Sequence, residues 1–498
     1  MATTETRTHQ NFIGGEWVHA ASGETFESTC PADGEPIGIF PRSGTEDVDR
    51  AVAAAREAFE EWRLVPAPKR GELLFRFAQL LVEAKDELTD LMTHEMGKVK
   101  AEAGGDVQEA IDMSYYMGGE GRRLFGQTTP SELRDKFNMS VRMPIGVIGV
   151  ITPWNFPIAI PSWKIAPALV AGNTVVFKPA TDTPALGQHF VELLDDAGVP
   201  KGVVNIVHGG GGTVGERLVE HSHVPVISLT GSRETGTKVL QSAAEGLKHV
   251  HLELGGKNAI IVMDDADLDL AIDGIVWSAF GTSGQRCTAA SRVIVHESRY
   301  DELASALVER AESLRLGPGW EDETDVGPVI NAGALEKIHS YTQIGIDEGA
   351  TLLTGGEIAS DGDLAKGFYY RPTIFGGVDP EMRIAQEEIF GPTLSLISVR
   401  DEAEAVRVSN GIRYGLSSSI FTRDVNRAFR AMRDLEAGIT YVNAGTIGAE
   451  VHLPFGGTKE TGNGHREAGR AALDVFTEWK SIYVDYSGTL QRAQIDNQ

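Results

Sequence analysis

The 498-residue chain is predicted to be an α/β protein built from two doubly wound α/β domains with a small β element appended. Three observations lead there. Short apolar runs alternate with helical stretches between residues 147 and 255. The same alternation restarts after Glu253. Two further strand-like segments, 135–142 and 479–485, belong to neither pattern and lie far apart in the chain. Such strands leave edges that need partners, and a neighbouring subunit can supply them.

Taken in order, residues 45–62 read as a helix with Thr45 as N-cap and an apolar face. Residues 69–118 continue helical, with Leu73, Leu74, Phe77, Leu80, Leu81 and Leu88 at three-to-four spacing. Residues 147–151 and 174–177 read as buried parallel strands, 183–198 as a helix, and 203–207 and 226–229 as strands again. Beyond Glu253 come a strand at 258–262, a helix at 268–280 and a strand at 293–295. Helices near 301–315, 333–347 and 401–410 and a strand at 394–399 follow.

Composition narrows the function classes. The content of 41% hydrophobic and 23% charged residues is that of a soluble globular protein. Only two cysteines argue against a disulfide scaffold and fit a reducing, cytoplasmic setting. The opening residues Met1 to Thr8 have no apolar core and are not expected to act as a secretory signal. The most apolar region, 144–177, is interrupted by Pro153, Asn155, Pro157, Pro161, Lys164 and Pro167, so no membrane helix is expected. A net charge of −26 disfavours nucleic-acid partners. Lys (15) is half as frequent as Arg (30) against 71 acidic residues, a balance that suits a salt-rich cytoplasm as well as an ordinary acidic enzyme.

The chemistry centres on Cys287, in Phe280-Gly-Thr-Ser-Gly-Gln-Arg-Cys287-Thr-Ala-Ala-Ser-Arg292. A Gly/Ser/Thr-rich turn behind the apolar run 272–280 can lift a thiol into a pocket. Asn155, between Pro153 and Pro157 at a strand end, could donate to an oxyanion or satisfy its own turn. Lys178 ends the next strand and can reach a ribose hydroxyl or a phosphate, or be solvated. Gly231 and Ser232 join a strand to a helix whose N-terminus could hold a pyrophosphate. The run Gly209 to Gly212 could contact a phosphate but reads rather as a flexible connection. Glu253, before Gly255 and Gly256, suits a general base if its pocket is apolar, or a backbone cap. Glu388 and Phe390 beside a tight turn can hold a ribose and pack a flat ring, or cover the core.

Pro153-Trp154-Asn-Phe-Pro157, Lys178-Pro-Ala, Gly231-Ser…Gly236, Glu253-Leu-Gly-Gly-Lys257, Gly284-Gln-Arg-Cys287, Glu388-Ile-Phe-Gly-Pro392 and Pro454-Phe-Gly-Gly457…Lys459-Glu…Gly462 together resemble the aldehyde dehydrogenase superfamily over nearly the whole chain. The resemblance implies a cofactor domain (1–125 and 146–255), a catalytic domain (256–455) and a bridging element (126–145 and 475–498) in a homodimer or homotetramer. It implies that Cys287 attacks an aldehyde, that Asn155 and the Cys287 amide bind the oxyanion, and that Glu253 activates the water that hydrolyses a thioester. Trp154, Lys178, Thr181, Gly231, Ser232, Glu388 and Phe390 would line the dinucleotide site, with Lys178 and Glu388 on riboses and Ser232 on the pyrophosphate. No metal site is expected. CoA-acylating relatives generally lack the glutamate at position 253, and loss of the chemistry altogether is disfavoured by the intact Cys287, Glu253 and Asn155.

Thr181 stands where NAD-preferring members often carry Glu, so NADP is expected to be preferred, with NAD possible. The nucleophile segment is similar to the 2,5-dioxopentanoate (α-ketoglutaric semialdehyde) branch, whereas Asn443 to Glu450 and Lys459-Glu-Thr-Gly are similar to the aminoadipic-semialdehyde branch. Succinic semialdehyde and simple aliphatic aldehydes are the alternatives. A carboxylate-bearing semialdehyde wants a cationic contact, for which Arg286 and Arg292 are the candidates.

Overall fold

The computed structural model describes residues 7–496, so the expectation about a secretory signal at Met1 to Thr8 falls largely outside them. Two seven-stranded sheets dominate. The first runs, from edge to edge, His249–Glu253, Val226–Thr230, Val147–Ile151, Thr174–Lys178 and Val204–Ile206, all parallel, and ends in the antiparallel hairpin Asn11–Ile13 and Glu16–Val18. The second runs Thr351–Thr354, Thr373–Gly376, Thr393–Val399, Ala290–His296, Asn258–Val262, Ser417–Phe421 and Ile439–Val442, parallel except for its first strand. The strands Val147–Ile151, Thr174–Lys178 and Asn258–Val262 are near-continuous apolar runs, buried almost throughout, as parallel strands covered on both faces require.

In the first sheet Val147–Ile151 has its sequence successor on one side and Val226–Thr230 on the other. This is a topological switch point, where the loops leaving two adjacent strand ends diverge and leave a crevice. The loops are those carrying Asn155 and Ser232. The loops entering the second sheet's strands, at Gly255–Lys257, Cys287 and Glu388–Phe390, meet the same crevice.

Four expectations need correction. The segment 69–118 is three helices, Ala67–Glu83, Lys85–Glu95 and Lys100–Glu120. Gly97 sits at φ +88, and a Cβ there would lie 2.6 Å from Pro328 Cγ, so the chain turns before Lys98. The first long helix is capped from Gly44, whose N–H donates to Asp47 at 3.0 Å, and Thr45 is already helical. Gly211–Gly215 is not an open connection; it is a turn of π-helix running into Glu216–Glu220. The two unassigned strands partner each other: Thr477–Asp485 pairs antiparallel with Lys136–Pro144 along nine residues, with Gln127–Pro130 on the far side. The edge along Thr477–Asp485 stays open, and Trp479, Tyr483 and Val484 are exposed there.

Candidate active site

Cys287 follows a backbone segment no helix or strand would tolerate. Thr282, Ser283 and Gly284 all have left-handed φ, at 52, 55 and 69°. For the two non-glycine residues that conformation costs about 1–2 kcal/mol each. Buried polar groups hold it. Glu102 accepts from the Thr282 N–H at 2.8 Å and from Thr282 Oγ1 at 3.1 Å. Ser283 Oγ donates to Gly327 O at 2.7 Å, and Gln285 Oε1 accepts from the Ile330 N–H at 2.9 Å. At Gly284 a Cβ would sit 2.2 Å from Gly391 O, so the nucleophile turn packs directly against the loop after Phe390.

The half-buried thiol forms part of the wall of two cavities. The first, about 250 Å³, has Trp154, Asn155, Gly231, Ser232, Glu388 and Phe390 around it. Asn155 is buried; its Nδ2 donates one hydrogen to Gln285 O at 3.0 Å, which leaves a second N–H on the same nitrogen. Ser232 caps the helix Arg233–Ala244 and accepts from the Thr235 N–H, so the helix's N-terminus opens on this cavity. Glu388 accepts from the Gly256 N–H at 2.9 Å and lies so close to Gly255 that a Cβ there would be 2.0 Å from its oxygen. Burial raises the Glu388 carboxyl, and Lys257 and Lys337 oppose the shift. Phe390 is held at φ +64, with its ring edge-on to Trp154 at 5.5 Å. A non-glycine residue in that region is strained and marks a constrained position.

Around the corner a third cavity of about 420 Å³ lies between Ile151, Gly211, Gly212, Gly215, Lys238 and Val239. Lys178 and Thr181 line none of these cavities. Lys178 is buried behind Gly215, donates to Pro179 O at 2.7 Å and is pulled down to about 8 by burial. Thr181 is exposed just beyond the same strand.

The second cavity, about 120 Å³, is mostly apolar, with Phe156, Trp163, Leu254 and Phe455 among its walls. Glu253 reaches it from the end of an edge strand and is 3% exposed. Neither of its oxygens has a hydrogen-bond partner, and Gly456 permits its close approach, since a Cβ there would be 2.7 Å from Oε1. Burial first, then Glu467, push this carboxyl well above its ordinary range. Burial also pushes the Cys287 thiol up to about 12, helped by Glu253, Glu388 and Glu109 and opposed by the Thr288 N–H. The resting group is therefore a thiol.

Arg286 and Arg292 separate cleanly. Arg292 is fully buried and gives its donors to Lys257 O, Val408 O and Ser409 O, so it is a structural residue away from the cavity. Arg286 lines the cavity; Nε donates to Thr282 Oγ1 at 2.9 Å and Nη2 to Glu102 at 3.2 Å. Its guanidinium also lies 5.4 Å from the Phe156 ring, whose centroid is 3.5 Å from Lys98 Nζ. Sequence reasoning missed Glu102, Lys98, Asp106, Lys164, His251 and Glu467. Lys98 pairs with Asp106 at 2.6 Å, and Lys164 pairs with Glu467, both out of solvent. A charged residue amid apolar neighbours was the available signal, and Lys164 in the helix Ala159–Ala171 shows it best.

Comparisons with known proteins give the family of the chain. The aldehyde dehydrogenase family pattern matches residues 17–482. The chain is 42% identical to the alpha-ketoglutaric semialdehyde dehydrogenase of Bacillus subtilis, over 97% of this chain and 99% of that one. It is 44% identical to the alpha-ketoglutarate semialdehyde dehydrogenase of Haloferax volcanii, over 96% and 99%. Among solved structures, betaine aldehyde dehydrogenase from Staphylococcus aureus in complex with NAD+ superposes with a TM-score of 0.95 at 35% identity, covering 97% of this chain and 96% of that one.

Proposed function

Because the chain belongs to the aldehyde dehydrogenase family and oxidises an aldehyde to the acid, we propose that its substrate is a carboxylate-bearing semialdehyde of the 2,5-dioxopentanoate type, oxidised hydrolytically with Cys287 as nucleophile. The observation that carries this reading is the position of Cys287 in the walls of two cavities, one bordered by Ser232, Glu388 and Phe390 and the other by Glu253 and Arg286.

The first cavity fits a nicotinamide dinucleotide on its own terms. A helix N-terminus suits the pyrophosphate, Glu388 beside the side-chain-free Gly255 suits ribose hydroxyls, and the edge-on aromatic pair Trp154 and Phe390 suits a flat ring. The 420 Å³ cavity would take the adenosine end. When bound, such a group accepts a hydride. Lys178, behind Gly215, would reach a ribose only by leaving Pro179 O. Thr181 puts no negative charge beside the adenine ribose, which favours NADP, while NAD remains usable.

The residues of this chain then divide the work. Cys287 gives its proton to solvent, and the sulfur adds to the carbonyl carbon. The free N–H of Asn155 and the Cys287 amide stabilise the thiohemiacetal oxyanion. Once the carbon is oxidised, a thioester on Cys287 remains. Glu253 takes a proton from water, the hydroxide oxygen adds to the thioester carbon, and the C–S bond breaks as that proton passes to the leaving sulfur, which restores the thiol and releases the acid. Among the described residues Arg286 Nη1 makes no hydrogen bond, while Thr282 Oγ1 holds Nε and Glu102 holds Nη2, an arrangement that can bind a substrate carboxylate. The open edge at Thr477–Asp485 and its exposed aromatic residues suit docking of a second copy as a homodimer or homotetramer.

The test is formation of reduced cofactor with 2,5-dioxopentanoate, with and without CoA, beside succinic, aminoadipic and simple aliphatic aldehydes. The expected result is a preference for the five-carbon oxo-acid, no need for CoA, and no turnover in Cys287→Ser. Turnover surviving that substitution would refute the mechanism.

A further inference from the structure

The strand His249–Glu253 places His251 and Glu253 on one face, two residues apart. The neighbouring parallel strand sets Ser228 opposite His251 and Thr230 opposite Glu253. Lys164, from the helix Ala159–Ala171, completes the group. All four polar side chains, Lys164, Ser228, His251 and Glu253, are buried.

Their hydrogen bonds run in one direction. Lys164 Nζ can only donate, and it donates to Ser228 Oγ at 3.1 Å. Ser228 Oγ then has its own hydrogen left, and its other partner is His251 Nδ1 at 3.1 Å. Donated to Nδ1, that hydrogen puts the ring's own hydrogen on Nε2. Nε2 makes no hydrogen bond, and the acidic oxygen before it is Glu253 Oε1 at 3.7 Å. That gap is too long for a hydrogen bond and short enough for a side-chain rotation to close.

We propose that His251 is a positioning residue for Glu253: the chain Lys164–Ser228–His251 fixes its tautomer and aims Nε2–H at the carboxylate, supplying the donor that the base otherwise lacks when it ionises to hydrolyse the thioester. The inference rests on Glu253 being the hydrolytic base. Burial, then Lys164 and His465, hold the ring's proton affinity well below the ordinary histidine range, so it stays neutral and keeps that single hydrogen. The charged groups around the pair are Glu467, which pushes Glu253 up, and Lys164 and Arg466, which pull it down. Glu467 lies 3.6 Å from His251 Nδ1, farther than Ser228. A donor to the ionised form lowers a carboxyl's pKa, and removing it raises the pKa.

The experiment follows pre-steady-state and steady-state formation of reduced cofactor in His251→Leu, His251→Gln, Ser228→Ala and Glu253→Gln, with each variant's melting temperature measured. His251→Leu should keep a burst of about one reduced cofactor per site and then turn over roughly tenfold more slowly. Its acid limb should move about one pH unit upward, since one unit is a factor of about ten in the ionised fraction. His251→Gln, whose amide N–H can stand in for Nε2–H, should recover most of the rate, and Ser228→Ala should move in the same direction as His251→Leu by a smaller amount. An unmoved acid limb in both His251→Leu and Ser228→Ala, with Glu253→Gln blocked after its burst, would overturn the inference and leave the base assignment standing. Unimpaired hydrolysis in Glu253→Gln would remove the base assignment and the inference together.

Discussion

Glu102 donates nothing and holds two things at once: its carboxylate accepts from Arg286 Nη2 at 3.2 Å and, on the same side chain, from the Thr282 amide at 2.8 Å. The left-handed turn before the nucleophile and the cation beside it therefore share one buried anchor 180 residues upstream. Glu102→Gln keeps the shape and removes the charge. Hydrogen bonds to a charged group contribute about 1.5–3 kcal/mol each, so a clear loss of stability is expected. The KM for a carboxylate-bearing semialdehyde should rise several-fold more than that for an uncharged aldehyde of equal length, because Arg286 loses its anchor. Equal changes in the two KM values would show that Arg286 does not read the carboxylate.

How much of this was legible in the chain depends on range. The parallel strands at 147–151, 174–178, 226–230 and 258–262 are apolar runs whose burial on both faces requires that pattern, and they stand where the sequence places them. The motifs around Asn155, Ser232, Glu388 and Cys287 converge on one crevice because they leave strand ends or enter strand starts. The mutual pairing of Lys136–Pro144 with Thr477–Asp485 was not legible, since more than three hundred residues separate two segments with no local signal for each other. Arg286 and Arg292 look alike in sequence, and only their tertiary partners divide them. The break at Gly97 likewise depends on Pro328, a contact from another part of the fold.

The proposed NADP preference can be tested at one exposed position. Thr181 follows the strand carrying Lys178 and is free of packing constraints, so Thr181→Glu should fold normally. A carboxylate there accepts from a ribose 2′-hydroxyl and repels a 2′-phosphate. The ratio of kcat/KM for NADP over NAD should fall by an order of magnitude or so, about 1.4 kcal/mol. An unchanged ratio would place the discriminating residue elsewhere.

Salt should stabilise the fold. With a net charge of −26, self-repulsion opposes compaction and is screened over about 8–10 Å at physiological ionic strength. Melting temperature is expected to rise through a molar KCl series and to approach a plateau as the screening length shortens. A flat or falling series would mark an ordinary acidic enzyme.

The reactivity of Cys287 should depend on pH and on bound cofactor together. Burial and the carboxylates Glu253, Glu388 and Glu109 raise the thiol to about 12, so its thiolate fraction at pH 7 is very small and grows about tenfold per pH unit. Alkylation by iodoacetamide should accordingly be slow at neutral pH and climb steadily as pH rises toward 12. An oxidised nicotinamide ring is cationic, and a positive charge placed in the neighbouring cavity favours the thiolate by the same Coulomb effect that the carboxylates exert in the opposite sense. Saturating oxidised cofactor should therefore accelerate alkylation at fixed pH, whereas the reduced cofactor, lacking that charge, should only obstruct access. Cys30 gives the internal control: it is 1% exposed, burial raises it to about 12 as well, and no cofactor cavity borders it, so its labelling in peptide maps should stay low under all three conditions. If oxidised and reduced cofactor slowed Cys287 labelling equally, the charge would not reach the thiol, and activation would have to come from a protein base alone.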